Sequence, residues 1–118
     1  MAMTELTADQ RRALRIPVDL PARFRSETVS VDGRAQNLSQ GGIRFIGSVP
    51  ALVPLFDGPV FLEIDLPDEE RPLSLRGVVC WSEPGPIRAV GIRFTDVGTI
   101  ERRRLANFVI RRACDDVG

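Results

Sequence analysis

The sequence predicts an all-β domain, a six-stranded antiparallel β-barrel, followed by a C-terminal α-helix. Three observations predict it. Between residues 16 and 94 apolar side chains recur at every second position in six short runs, the alternation of strands with one buried face. Turn residues interrupt these runs at short intervals, which favours antiparallel neighbours, and closing the sheet removes its exposed edges. After Gly98 the apolar spacing changes to three to five residues, the period of an amphipathic helix. At 118 residues the chain is long enough for one core and too short for two.

In chain order, Thr4 to Leu14 offers Thr7 and Asp9 as helix caps, but too few apolar positions to bind a helix firmly. Residues 1–15 therefore read as a flexible N-terminal arm, and residues 16–118 as the barrel and its helix. Ile16, Val18, Leu20, Ala22 and Phe24 share one face of a first strand, whose prolines, Pro17 and Pro21, place its start at an edge. Two readings of the next segment stand. Asp32-Gly33 is a standard hairpin dipeptide. Alternatively the chain turns at Ser26-Glu27 and one strand runs from Thr28 to Ser39, which keeps the alternation unbroken and is preferred. Ile43 to Ile46 is a short third strand. Gly47 to Gly58, with Pro50 and Pro54, is a connection anchored by Val49, Leu52, Leu55 and Phe56.

Val60, Leu62, Ile64 and Leu66 face inward on the fourth strand, before the acidic turn Pro67-Asp68-Glu69-Glu70. Leu73, Leu75, Gly77, Val79 and Trp81 form the inward face of the fifth, so Trp81 is expected in the core in preference to serving as a stacking platform. Pro84-Gly85-Pro86 breaks that strand, and Val90, Ile92 and Phe94 line the last. Gly33, Gly77 and Gly91 suit bends at barrel corners. The helix runs from Gly98-Thr99 to about Ala113, with Ile100, Leu105, Phe108, Val109 and Arg112 as the stripe that closes one barrel end.

Composition narrows the function. The chain is 43% hydrophobic and 27% charged, as expected of a globular domain, and its net charge is zero. Zero charge gives no general attraction to DNA, RNA or an anionic membrane, so none of these is an expected partner. All sixteen basic residues are arginine. Genome composition accounts for that, and guanidinium forks also suit phosphates and guanine edges. Cys80 and Cys114 have no motif spacing, which fits a reducing compartment. No apolar run approaches the roughly 20 residues of a membrane helix. Met1 to Gln10 is acidic and lacks a secretory signal's apolar centre. A cytoplasmic protein without membrane insertion is expected. There is no histidine, no metal-ligand cluster and no nucleophile beside a base, so an enzyme is not expected.

Two groups of residues carry candidate chemistry. Arg11 and Arg15 are spaced four apart, with Arg12 beside them, in a segment that Pro17 and Pro21 keep out of a long helix. They read either as a solvated basic arm or as cations on a strap that folds over an anionic ligand. The strap reading favours arginine, which grips phosphate, reads guanine and stacks on bases. Ordering two arginines costs entropy, so such an arm would be disordered when free and fixed when bound. In Asn37-Leu38-Ser39-Gln40-Gly41-Gly42, Asn37 and Ser39 share one face of an extended strand. They either bond their own backbone in a turn or aim amide and hydroxyl into a pocket. Gly41 and Gly42 would turn the backbone and let it approach a ligand. Arg44 is either a further cation for that pocket or a surface strand residue, the second being preferred. The runs Arg102-Arg103-Arg104 and Arg111-Arg112 read as a solvated helix face in preference to a docking surface for an acidic partner or nucleic acid.

The pattern RxxxR followed by (D/N)xSxxG resembles the PilZ domain, a family of bacterial receptors for cyclic di-GMP. The resemblance covers nearly the whole chain, from Gln10-Arg11-Arg12-Ala13-Leu14-Arg15 through Asn37 to Ile43, Val78-Val79-Cys80-Trp81 and Val90-Gly91-Ile92-Arg93-Phe94. It implies a single strand from Thr28 to Ser39. It also implies that Arg11 and Arg15 hold the phosphates and guanines of cyclic di-GMP, while Asn37, Ser39 and Gly42 contact guanine. Asn37 stands where Asp is commoner. Gln10 precedes the arginines at a position tied in relatives to binding one or two ligands, and leaves the stoichiometry open. The function expected from the resemblance is a non-catalytic receptor without cofactor, relaying the nucleotide to a separate protein effector in motility, biofilm or transcriptional control. The alternative is a protein-interaction module of the same fold that acts without nucleotide.

Overall fold

The computed structural model describes residues 14–49, 58–83, 85 and 87–115. The expected connection lies mostly outside these residues, as do all of the arm except Leu14 and Arg15, and Pro84 and Pro86. Six strands form a closed antiparallel barrel in the order β1-β2-β3-β6-β5-β4. They are β1 (Leu20–Arg25), β2 (Ser30–Gln36), β3 (Gly42–Gly47), β4 (Val60–Ile64), β5 (Leu73–Glu83) and β6 (Arg88–Phe94). One helix, α1 (Thr99–Asp115), follows. Period-two alternation produced these strands: the inward positions Leu20, Ala22 and Phe24 of β1, Val60, Leu62 and Ile64 of β4, and Leu73 and Leu75 of β5 are all buried. Phe24 and Phe45 stack at the centre with ring centroids 5.6 Å apart.

The first strand begins later than the alternation suggested. Ile16 makes only an isolated bridge to Leu38, with both amides donating at 2.9 Å, and the regular ladder starts at Leu20. Proline cannot donate to a ladder, and Pro17 falls in the gap. The β1–β2 turn lies at Ser26 to Val29. The Ser26 amide donates to Val29 O at 2.9 Å, and Ser26 Oγ accepts from the amides of Thr28 and Val29, both at 3.3 Å. Asp32-Gly33 is therefore mid-strand, paired with Arg23 and Ala22. Gly33 is there for close approach: a Cβ would run into Ile46 O and the Phe45 ring.

In β5 the alternation breaks. Val79 pairs with Ile92 and Trp81 with Gly91, so Cys80 is the extra residue of a β-bulge. The bulge re-aims everything beyond it. Trp81, expected in the core, lies outside the barrel and is 36% exposed.

Helix α1 buries Leu105 and Val109 against the core, with Phe108 partly covered. Ile100, expected in that stripe, is 74% exposed. A polar clamp anchors the helix. Arg104 donates to Glu69 at 2.9 Å, Glu101 at 3.1 Å and the carbonyls of Arg71 (2.6 Å) and Pro72 (3.1 Å), while Glu101 accepts the Ser74 amide at 2.6 Å. Partial burial pulls the Arg104 pKa down, but its bonds to Glu69 and Glu101 outweigh that and hold it above the ordinary value. The Arg102-Arg103-Arg104 run is thus no uniform face, since its third member is structural. No described helix is long and apolar enough to cross a membrane.

Candidate functional site

A cleft of about 500 Å³ opens where β3, β6 and the outer end of β5 meet the segment before β1. The Ile16–Leu38 bridge builds its near wall. By pairing those two residues it sets Arg15 beside the flanking Asn37 and Ser39, and all three line the cleft. Arg15 is exposed and makes no ion pair among the described residues. Arg11 and Arg12, predicted to act with it, lie outside those residues, as does Gln10.

The loop from Asn37 to Gly42 divides its labour. Ser39 is 7% exposed, and its hydroxyl is committed to the turn. It accepts the amides of Gly41 at 3.2 Å and Gly42 at 3.1 Å, and lies 3.3 Å from Gly42 O as donor. Asn37 makes no such local bond. It is exposed, holds a left-handed backbone with φ 46°, which Asn tolerates, and has no hydrogen-bond partner for its amide among the described residues. The self-bonding and the pocket-facing readings thus both hold, one for each residue. Neither Gly41 nor Gly42 takes a positive φ. Gly42 is required by its neighbour strand, since a Cβ would sit 2.5 Å from Ile92 O. A Cβ at Gly41 would meet nothing nearer than Ser39 Oγ at 4.0 Å.

The far wall comes from the bulge. Trp81 lies across Gly91, where any Cβ would overlap the indole, so the glycine seats the ring on β6. Arg44 sits over that ring, its Cζ 5.4 Å from the centroid. Glu83 holds the guanidinium from the side, at 3.3 Å from Nη1 and 3.1 Å from Nη2. Arg44 is therefore part of the cleft, contrary to the preferred surface-strand reading. Cys80 Sγ donates to Gly91 O at 3.3 Å and steadies the bulge. Arg93, opposite Gly42 in the register, adds a cation with no ion pair among the described residues.

Arg93 is the residue that sequence reasoning missed, and Trp81, set aside there as core, lines the cleft instead. Arg93 alternates outward on β6, and that signal was present in the pattern. The bulge that turns Trp81 out has no such signature, although a glycine opposite a tryptophan hints at a ring laid across a strand. Together the walls present three guanidiniums, one of them stacked on the Trp81 indole, and an unengaged amide. Such a set grips anionic oxygens and a planar ring. No group of metal-ligating residues forms among the described residues.

Comparison with known proteins agrees with this architecture. A family model described as PilZ domain matches residues 9–111. No curated protein matches the sequence significantly. Among solved structures, the Bacillus subtilis inhibitor of motility (MotI/DgrA) is similar at 22% identity and TM-score 0.71, over 86% of this chain and 50% of that one. The PilZ domain of YcgR from Escherichia coli, solved with c-di-GMP, is similar at 13% identity and TM-score 0.70, covering 86% and 90% of the two chains. The PilZ domain of CeSA from a cellulose-synthesizing bacterium follows at 22% identity and TM-score 0.59, covering 81% and 94%. The chain thus spans half the length of the Bacillus protein. At these identities the structural likeness concerns the fold.

Proposed function

Because the chain belongs to the PilZ domain family, we propose that it is a receptor that binds cyclic di-GMP in the cleft between Arg15, Asn37 and Trp81 and passes the signal to a separate protein. The observation that carries this reading is the meeting of Arg15, Asn37, Arg44 and Arg93 around one cleft walled by Trp81. Cyclic di-GMP joins two phosphates to two planar purines, and the wall chemistry divides the same way. Arg15, joined by Arg11 and Arg12 from the arm, neutralises phosphate and reaches the O6 and N7 edge of guanine. The Trp81–Arg44 stack takes a guanine face, and Glu83 keeps the guanidinium in place for it. Asn37 offers its free amide to the ligand. Ser39 and Gly42 act one step back, by shaping the loop that presents Asn37.

Binding, not turnover, is the role of this site. Signal transfer follows from ordering the arm: Arg15 already stands beside Asn37 and Ser39, ligand draws Arg11 and Arg12 onto the same side, and the covered face becomes a new surface. The sole tryptophan supplies the test, since the chain contains one Trp and no Tyr. Titration with cyclic di-GMP should change Trp81 fluorescence saturably, with cyclic di-AMP and GMP much weaker. Calorimetric binding with unchanged Trp81 emission would remove the tryptophan from the site. No binding by either method would favour the nucleotide-independent interaction module.

A further inference from the structure

The described arginines divide by partner. Arg23, Arg34, Arg44 and Arg104 each hold a carboxylate. Arg25 and Arg76 hold none among the described residues and instead flank one aromatic ring. Arg25 is directly opposite Phe61 across β1 and β4, and Phe61 is directly opposite Arg76 across β4 and β5. The three form one rung on the outside of the barrel, away from the nucleotide cleft on β3 and β6. The Cζ atoms lie 5.5 Å (Arg25) and 5.9 Å (Arg76) from the Phe61 centroid. The flanking strands bring the guanidiniums in from opposite sides. Phe61 lies between them and is 39% exposed.

This geometry selects among anionic partners. With a guanidinium over the ring from each neighbouring strand, Phe61 offers a nucleobase less room than it offers a carboxylate. Glu63 and Asp96 line the same small cleft, so a continuous polyanion would meet like charge beside the arginines. Two discrete carboxylates separated by an apolar group bring far less like charge to that cleft. The guanidiniums are at most about 11 Å apart, and in an extended peptide residues four apart are about 13 Å apart on one face. We propose that the Arg25–Phe61–Arg76 rung docks an acidic segment of a partner protein, an extended acid-x-aliphatic-x-acid stretch whose aliphatic residue meets Phe61. The proposal does not depend on the nucleotide reading.

The test uses the full chain, labelled with nitrogen-15, and the peptide Glu-Thr-Leu-Thr-Glu with blocked ends as probe. Its scramble Leu-Thr-Thr-Glu-Glu, phosphatidylglycerol vesicles and an oligothymidine strand serve as comparisons. The expected result is saturable shifts centred on the signals of Arg25, Phe61 and Arg76. Arg25→Gln and Arg76→Gln should each weaken binding about three- to fivefold, as for exposed charge pairs, and the scramble should bind less than the probe. Both positions are exposed, and a preserved spectrum verifies that each variant is folded. Absent binding, shifts centred on the α1 arginines, or equal affinity of scramble or variants would overturn the proposal. So would tighter binding of vesicles or oligothymidine through the same rung.

Discussion

Replacing Ser39 and Asn37 separates the two jobs within one loop. Ser39→Ala removes the acceptor of two backbone amides, at 3.2 Å and 3.1 Å, from a site only 7% exposed. A hydrogen bond contributes about 1 kcal/mol net, and a buried donor left without partner costs about 1–3 kcal/mol. Gly41 is exposed and its amide can turn to water, while Gly42 is half-buried. The loss should therefore be about 2 kcal/mol, or roughly 8 °C in Tm for a domain of this size. Asn37→Gly should do the opposite. Glycine adopts the φ of 46° without strain, so stability stays within about 0.5 kcal/mol. The missing amide should weaken cyclic di-GMP about three- to tenfold, the worth of one neutral hydrogen bond. Urea unfolding followed by circular dichroism gives the first quantity, and calorimetry the second. If Ser39→Ala matched the parent in stability, or Asn37→Gly matched it in affinity, this division of labour would be refuted.

Three further outcomes follow from the same contacts. Trp81→Phe should retain most nucleotide affinity, and Trp81→Leu should lose about tenfold, because stacking on an aromatic face contributes about 1–3 kcal/mol per base; equal losses in calorimetry would point to bulk instead of stacking. Arg104→Ala breaks the clamp on Glu69, Glu101 and two carbonyls. It should destabilise the fold by about 2 kcal/mol, whereas Arg103→Ala, exposed and without a carboxylate partner among the described residues, should change it by less than about 0.5 kcal/mol; chemical unfolding of both variants decides. The bond from Arg23, opposed by burial and aided by its charge, holds the Asp65 carboxyl below its ordinary value of 3.8. A depressed folded-state pKa contributes stability above the unfolded value that fades as pH falls through the folded one. The Tm gap between parent and Asp65→Asn should be constant near neutrality and close below about pH 4; a gap that widened in acid would reverse the assignment.

The barrel was legible because burial on one face writes itself into every second residue, and strands β1, β4 and most of β5 carry that pattern without error. Asp32-Gly33 misleads a local reading, since the same dipeptide that favours a tight turn also permits the close contact of Gly33 with Ile46 and Phe45. One strand does run through Asp32-Gly33, because alternation integrates over more residues than a dipeptide does. It covers Ser30–Gln36 and not Thr28 to Ser39: the left-handed backbone at Asn37 ends it, so Asn37 and Ser39 do not share the face of an extended strand. Trp81 was misplaced for a related reason. A one-residue bulge at Cys80 reverses the facing of all that follows, and nothing local marks it. Ile100 lies one residue off the row of Glu101, Leu105 and Val109 that faces the barrel, and so points to solvent. The loop that holds Asn37 and Ser39 is visible in the sequence, yet the two side chains could not be assigned to turn or pocket before the hydrogen bonds were known.

The central claim is that this cleft binds cyclic di-GMP with Arg15 in contact. Calorimetric titration of the parent and of Arg15→Ala tests it most directly. The account predicts selective, saturable binding by the parent that weakens at least about tenfold in the variant, the worth of a charge-assisted bond to phosphate. Equal affinity in both, with the variant folded, would contradict it.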